Sequence, residues 1–227
     1  MAFTLERVVL WGRSFDEYIR MFDLKDNDLK KNILGCGDGP ASFNCEMKKQ
    51  GHNVISCDPI YQFTKRHIEN RINETYDKIL EQASQNKDDF IWDTIKSVDE
   101  LGRIRMSAMN NFLADFDKGK KEGRYLAGEL PSLPFQDKEF DLVLSSHFLF
   151  LYTEQLSLSF HIEAIKEMCR VSKEVRIFPL VDLKAEKSRY VDIIISETKD
   201  DKYAVEIRKV PYEFQRGGNE MMWIYEK

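Results

Sequence analysis

The fold is decided by the stretch Ile33-Leu34-Gly35-Cys36-Gly37-Asp38-Gly39-Pro40. Residues 32–34 predict a short strand that runs directly into the glycines, and residues 41–50 predict a helix. Residues 53–57 predict the next strand, which Asp58-Pro59 closes. A strand, a loop, a helix and a strand in this order have the length of a parallel crossover unit. The glycines would let a ligand approach bare backbone beside the helix N-terminus.

The remainder of the chain alternates strands with helices, which predicts a doubly wound α/β fold. Further strands are predicted at 124–127, 142–146, 175–178, 203–214 and 221–225, and further helices at 156–171 and 185–198. The last two strands flank Gly217-Gly218 and are expected to form an antiparallel hairpin. The sheet should therefore be mostly parallel, with an antiparallel strand at its end.

Residues 64–118 are polar, highly charged and longer than a crossover helix needs. Apolar residues recur at helical spacing here, which predicts two or three amphipathic helices inserted between the second and third strands. Most of these apolar side chains should face the core, while the insertion as a whole is a candidate lid or substrate wall. Residues 1–30 are interpreted as an N-terminal helical cap, opened by a capping box at Ser14 and Glu17. We predict a single domain spanning 1–227.

Composition limits the classes of function. With 227 residues and 42% hydrophobic residues, the chain can form one sizeable core. A net charge of −5 makes a dedicated nucleic-acid binder unexpected, because such proteins usually carry a basic surplus. No apolar run is long enough to span a bilayer and no signal peptide is recognisable, so a cytoplasmic protein without a membrane role is expected. The 4 cysteines and 4 histidines show no metal-ligand spacing, so no metal is expected.

The spacing of the glycines distinguishes between cofactors. A dinucleotide-binding loop of the form G-x-G-x-x-G would need its third glycine at position 40, where Pro40 stands, which weakens the hypothesis of an NAD-dependent enzyme. Asp58 closes the second strand, where a carboxylate can accept hydrogen bonds from both hydroxyls of a ribose. Asp58-Pro59 is alternatively a simple turn opener. The pairing of this acid with the glycine loop favours the ligand-binding interpretation.

A third stretch supplies a family resemblance. Residues 128–143 read GELPSLPFQDKEFDLV. Together with glycines at 35, 37 and 39 and the acid at Asp58, this stretch resembles the class I, Rossmann-like, S-adenosylmethionine (SAM)-dependent methyltransferases. The resemblance covers residues 30–180, and its three elements come in the family's order. It implies a seven-stranded sheet of order 3-2-1-4-5-7-6 with the last strand antiparallel, SAM as cofactor and S-adenosylhomocysteine as product.

The resemblance also implies a set of cofactor-binding residues. The loop would wrap the amino-acid end of SAM, the acid at the end of the second strand would bind the ribose, and the Glu-Leu pair after the third strand would lie beside the adenine. The expected cofactor residues are Gly35, Cys36, Gly37, Asp38, Gly39, Asp58, Pro59, Ile60, Glu129, Leu130, Ser145 and Ser146. One position departs from the family: members carry an acid two residues before the first glycine, and this chain has Ile33. Asp38 is a candidate substitute.

The acceptor is expected at the carboxyl ends of the fourth and fifth strands. His147 is the candidate general base because its unperturbed pKa lies near neutrality, and Tyr152 is a second catalytic candidate. His147 is alternatively a structural residue at the strand end. Trp11, Arg13 and Tyr18 are expected to close the site from the N-terminal cap and to contact the substrate. Trp11 is alternatively a hydrophobic staple for the capped helix.

The leading functional hypothesis is a SAM-dependent methyltransferase that acts on a small molecule by in-line displacement. A nucleic-acid amino group is a less expected acceptor, because residues 145–148 read SSHF where enzymes of that kind carry N-P-P-Y. The alternative hypothesis is a catalytically silent SAM-binding protein that serves as a sensor or partner subunit, and the acid missing at Ile33 motivates it. The oligomeric state stays open at this point.

Overall fold

One sheet organises the computed structural model, which describes residues 9–198 and 202–227. Residues 1–8, the start of the predicted cap, and 199–201 lie outside the described residues. The strands are β1 (Ile33–Cys36), β2 (Val54–Cys57), β3 (Tyr125–Leu126), β4 (Phe140–Ser146), β5 (Ser172–Phe178), β6 (Tyr203–Lys209) and β7 (Glu220–Glu226). They form a 7-stranded sheet of order β3-β2-β1-β4-β5-β7-β6.

The pairing pattern confirms the predicted topology. Strands β1 to β5 pair in parallel, and β7 lies antiparallel between β5 and β6. Strand β1 is buried at every position, as expected for a central strand covered on both faces. The order reverses at β1 and β4, so their carboxyl ends open a crevice, the usual position of a ligand in open α/β sheets.

The helices begin where the sequence supplies caps. They are α1 (Phe15–Met21), α2 (Phe43–Lys49), α3 (Lys65–Gln85), α4 (Val98–Lys121), α5 (Leu158–Val171) and α6 (Val191–Thr198). Ser14, Thr64, Ser97 and Ser157 each precede a helix and accept a hydrogen bond from a backbone N–H of its first turn. Ser14 and Glu17 form the predicted reciprocal capping box.

The helical insertion between the second and third strands is confirmed as α3 and α4, joined through a 3-10 turn at Lys87–Asp89. The apolar stripe of α4 buries Met109, Phe112 and Phe116 against Tyr61 and Tyr125. The predicted core-facing role of these stripes therefore holds for the middle of α4. No helix among residues 9–198 and 202–227 has both the length and the apolar character to cross a membrane.

Two predicted boundaries are wrong. The helix expected at 185–198 begins only at Val191, because Asp182 Oδ1 accepts backbone N–H groups of Lys184 and Glu186 and Ala185 has φ of 62°. These contacts build a turn where the sequence pattern continued a helix. The strand expected at 203–214 ends at Lys209, two residues before Pro211, which has no N–H for the sheet.

Candidate active site

The glycine loop follows β1 and has the shape that its sequence requires. Gly37 and Gly39 have φ of 68° and 55°, in the left-handed region that favours glycine. Gly35 is required for another reason, since a Cβ at this position would collide with the carboxylate of Asp38. The loop therefore brings the carboxylate of Asp38 against Gly35, and Gly37 and Gly39 line the cleft beyond β1.

Asp38 holds the underside of this loop. Tyr18 Oη donates to its Oδ1 at 2.9 Å and Ser56 Oγ donates to its Oδ2 at 2.6 Å. Burial raises the pKa of Asp38 to about 6, although both hydrogen bonds oppose the shift. Ile33 is only 1% exposed and lies in the core. The loop thus supplies a buried carboxyl group of its own, while position 33 supplies none.

Asp58 connects the loop to the end of β2. Its Oδ2 accepts the N–H of Gly39 at 2.8 Å, and its Oδ1 accepts the N–H of Ile60 at 2.9 Å. Burial raises the pKa of Asp58 to about 6, and the charge of Glu129 adds to this shift while the two amides oppose it. The carboxylate fixes the loop against β2 and keeps unused lone pairs on both oxygens.

A cleft of about 530 Å³ lies above the carboxyl ends of β1, β2 and β4. Most of the predicted site residues line it: Trp11, Arg13, Tyr18, Cys36, Gly37, Asp38, Gly39, Asp58, Pro59, Ile60, Glu129, Leu130, Ser146 and His147. The structure does not bring Gly35 or Ser145 to the cleft wall. Gly35 lies beneath the loop, and Ser145 is 0% exposed, with no hydrogen-bond partner for its Oγ among the described residues.

The segment that carries Glu129 and Leu130 is fixed from behind by α5. Leu133 N–H donates to Glu167 Oε1 at 2.7 Å, and Arg170 Nη1 donates to the carbonyl of Phe135 at 2.9 Å. Arg170 also forms an ion pair with Glu167. These contacts explain why the segment after β3 holds a fixed edge of the cleft although it contains little regular structure.

His147 lies at the opposite edge, directly after β4. Its φ is 53°, and its N–H donates to the carbonyl of Phe178 at 2.7 Å. Ser146 Oγ and His147 Nδ1 are 2.9 Å apart and share a hydrogen bond. Burial and the charges of Arg13 and Arg105 hold the pKa of His147 well below its usual range. The imidazole is therefore neutral at neutral pH.

A second cavity, of about 110 Å³, adjoins the cleft. Val9, Trp11, Arg13 and His147 line both volumes and form the wall between them. The insertion supplies Ile79, Ala83, Phe90, Leu101 and Arg105, and the segment after β6 supplies Phe214 and Gln215. Trp11 packs against Tyr76 of α3 with ring centroids 5.8 Å apart.

A buried ionic cluster lies beside this second cavity. Arg105 is 0% exposed and forms an ion pair with Glu17, whose other oxygen accepts a hydrogen bond from Tyr212 Oη at 2.8 Å. Burial alone would raise the pKa of Glu17, but the charge of Arg105 lowers it to about 2. Burial and the charge of Arg105 lower the pKa of Arg13 to about 10. Arg105 therefore pairs with Glu17, and the guanidinium of Arg13 lies close enough for its charge to act on both.

Tyr152, His161 and Arg105 do not line the cleft. Tyr152 Oη accepts the N–H of Val9 at 3.2 Å, and the side chain lines the second cavity but not the cleft. His161 is 0% exposed, and its ring nitrogens Nδ1 and Nε2 lie 2.8 Å and 3.0 Å from the carbonyl oxygens of Ser157 and Leu149, so the single N–H of the neutral ring donates to one of them. Arg105 was not identified from the sequence, although a charged residue on the apolar stripe of α4 could have indicated it.

All four cysteines are free and buried, and burial raises the pKa of the two that line the cleft, Cys36 and Cys57. Within the described ranges there is no group of three or more His, Cys, Asp or Glu side chains that could hold a metal ion.

Comparison with known proteins identifies a close relative. The uncharacterized protein MJ0045 of Methanocaldococcus jannaschii is 38% identical over 222 residues, and the match covers 97% of each chain. This chain belongs to the MJ0045 family. No model of a protein family matches the sequence.

Solved structures share the fold at much lower identity. The PH0226 protein of Pyrococcus horikoshii OT3 is 12% identical, with a TM-score of 0.50 over 94% of this chain and 91% of that one. The magnesium protoporphyrin IX methyltransferase of Synechocystis PCC 6803, solved with bound SAM, is 10% identical, with a TM-score of 0.49 over 94% and 78% of the two chains. The match to PH0226 shows a shared fold, and the strand order expected from the sequence resemblance is the one observed.

Proposed function

We propose that this protein is a SAM-dependent methyltransferase that acts on a small-molecule acceptor. One observation carries the proposal. The glycine loop, Asp58 and the Glu129-Leu130 pair come from three different strand ends, and they border one cleft of about 530 Å³. This volume is in the range of cofactor and small-molecule sites. The three features that carried the sequence resemblance thus line a common cavity.

The charge of the cleft suits this cofactor. Asp38, Asp58 and Glu129 supply three carboxyl groups to its lining, and SAM carries a positive sulfonium and a positive amino group. Leu130 and Leu133 add an apolar surface of the kind that an adenine ring packs against. The residues present therefore fit the cofactor, although Ile33 replaces the family acid.

Each group has a specific role in this proposal. The backbone of Gly37 and Gly39 approaches the amino-acid end, and Asp38 supplies a buried carboxyl group to the same part of the cleft lining. Asp58 keeps lone pairs on both oxygens for the ribose hydroxyls while its amide contacts hold the loop. The Glu129-Leu130 segment, fixed by Glu167 and Arg170, contacts the adenine.

The protein's contribution to catalysis would be mainly positioning. SAM supplies a methyl group on a cationic sulfur, and in-line transfer needs the acceptor held in near-attack geometry with water excluded. His147 and Arg13 line both cavities, so the acceptor would meet the cofactor beside them. The pKa of His147 is lowered, so its neutral imidazole would accept a hydrogen bond from the acceptor atom and pass a released proton on to water rather than hold it. Tyr152, which lies in the second cavity, would contact the acceptor only.

Isothermal titration calorimetry with SAM and S-adenosylhomocysteine tests the cofactor assignment. We expect the protein to bind both, and Asp58→Ala to weaken binding by about tenfold or more, because it removes hydrogen bonds to a charged group. Asp26→Ala, at an exposed position outside the cleft, is the matched control and should bind as the natural protein does. Absence of binding by the natural protein would refute the proposal.

The silent SAM-binding alternative differs only in turnover. The presence of Ile33 at the position where the family carries an acidic residue favours this alternative. Release of S-adenosylhomocysteine in the presence of a broad panel of small acceptors supports the transferase. Tight binding of SAM with no release from any acceptor favours the sensor.

A further inference from the structure

The second cavity contains buried hydrogen-bond donors without acceptors. Arg105 Nε and Nη2 and Arg13 Nε are buried, and none of these nitrogens has a hydrogen-bond partner among the described residues. Both arginines line the cavity. Buried guanidinium nitrogens are rarely left without acceptors, because desolvation of a charged donor is costly. A ligand group with several hydrogen-bond acceptors that entered this cavity would accept hydrogen bonds from these nitrogens.

The charges of the cluster are unbalanced as well. Arg13 and Arg105 face one buried carboxylate, that of Glu17, which already accepts hydrogen bonds from Ser14, Tyr212 and Arg105. Asp89 also lines the cavity, but it is only partly buried, and no ion pair joins it to either arginine in the described ranges. The buried cluster therefore retains one positive charge in surroundings that screen it weakly.

The remaining walls describe the body of the ligand. Ile79, Leu101, Phe90 and Phe214 make most of the lining apolar. A planar guanidinium presents paired N–H groups that match both oxygens of a carboxylate. A monocarboxylate also carries the single negative charge that balances the cluster, whereas a phosphate monoester carries more.

We propose that the second cavity binds the methyl acceptor and that this acceptor is a small carboxylic acid with an apolar body, held through its carboxylate by Arg105 and Arg13. This inference rests on the function proposed above. Arg105 lines the second cavity but not the cleft, whereas His147 lines both. The carboxylate is therefore the anchor, and the opposite end of the acid points to the cofactor.

The transfer step follows from this orientation. A lone pair of an oxygen, nitrogen or sulfur atom at the far end of the acid forms the new bond to the methyl carbon. The bond between that carbon and the sulfonium breaks, and the sulfur keeps the electron pair. A proton carried by the acceptor atom passes to water, directly or through the imidazole of His147. The anchoring carboxylate is unchanged.

Binding of benzoate and of benzamide tests the site with probes that differ only in charge and hydrogen bonding. Each is titrated by ligand-observed NMR into protein saturated with S-adenosylhomocysteine and into protein alone. We expect benzoate to bind about tenfold more tightly than benzamide, as a charge-assisted pair with a guanidinium should. The preference should disappear in Arg105→Met/Glu17→Gln, which removes the arginine without leaving a buried unpaired carboxylate.

Two further variants complete the design. Arg103→Met changes an exposed arginine on the same helix and should keep the preference for benzoate. Arg13→Gln tests the second guanidinium and serves if the double variant fails to fold, which thermal unfolding reports. Equal affinity for benzoate and benzamide in natural protein that binds S-adenosylhomocysteine would overturn this inference and leave the proposed function intact.

The acceptor role is tested by turnover. Hydroxy-, amino- and mercaptobenzoates should release S-adenosylhomocysteine from SAM faster than the corresponding benzamides, with a difference that Arg105→Met/Glu17→Gln abolishes. Transfer to the benzamides at the same rate would overturn the acceptor assignment. Benzoate binding through Arg105 in a protein that binds no SAM would instead refute the proposed function, and the acceptor role with it.

Discussion

The cleft and the second cavity share a wall but differ in charge and origin. The cleft contains carboxyl groups from Asp38, Asp58 and Glu129, all placed by strand ends. The second cavity contains guanidinium groups from Arg13 and Arg105, placed by the N-terminal segment and the insertion. The strand ends of the sheet thus build the volume suited to a cation, and the N-terminal segment and the insertion build the volume suited to an anion.

The largest expected effect comes from removing the carboxylate of Glu17, which lies in the ionic cluster beside the second cavity. Glu17→Ala would leave the fully buried guanidinium of Arg105 without its carboxylate, which should lower the free energy of unfolding by about 3–5 kcal/mol. Urea unfolding followed by circular dichroism measures the loss. Glu69→Ala, at an exposed position of α3, is the control and should change stability by less than about 0.5 kcal/mol. Equal effects of the two variants would contradict a stabilising buried ion pair between Arg105 and Glu17.

The next effect is a loss of stability with rising pH that comes from the carboxyl groups of the cleft. The pKa of both Asp38 and Asp58 is raised to about 6, so folding favours their protonated forms. Their contribution to stability is complete below the unfolded pKa of about 4 and is lost as pH rises through 6. The protein without ligand should therefore lose about 2 kcal/mol from these two groups between pH 5 and pH 7.

His147 and His161 act in the opposite direction in this window, because their pKa values are lowered. The effect is therefore measured as the stability difference between the natural protein and Asp38→Asn/Asp58→Asn at each pH. SAM affinity should change the other way and strengthen as pH rises through 6, because the ionised carboxylates attract a cation. A stability difference that does not change with pH would show that these groups titrate normally.

The smallest effect separates the two regions directly. Tyr152→Phe removes the acceptor of the Val9 N–H and should lower the free energy of unfolding by about 1 kcal/mol. Affinity for S-adenosylhomocysteine should stay the same, since Tyr152 lines only the second cavity. Calorimetry and urea unfolding on the same preparation provide both readings. A weakened cofactor affinity would show that the shared wall transmits changes between the cavities.

The sheet and the cleft were predictable because their signals are local. The glycines at 35, 37 and 39, the acid at Asp58 and the Glu129-Leu130 pair each follow a strand directly, and parallel strands bring such positions to one edge. Gly35 was placed in the cofactor site by its neighbours, although it serves instead to make room for Asp38. The sequence pattern shows where glycine is needed, but it does not show whether the group that approaches the glycine is a ligand or a side chain of the protein itself.

The second cavity was not predictable, because its parts are distant in sequence. Arg105 and Glu17 are separated by 88 positions, and Glu17 was recognised only as the partner of Ser14 in a capping box. Arg105 stands on the same helical face as the buried Leu101 and Met109. An arginine at such a position indicates a buried partner, but the pattern alone does not identify it.

The wall between the cavities is fastened to the cofactor loop. Ser42 N–H donates to the carbonyl of Arg13 at 3.0 Å, and Gly12 packs against the carbonyl of Pro40. Any ligand that shifts the loop therefore shifts residues that the other ligand touches. Thermodynamic reciprocity then requires that the factor by which the first ligand changes the affinity for the second equals the factor for the reverse. An acceptor screen without bound cofactor would measure a different affinity from the one that governs turnover.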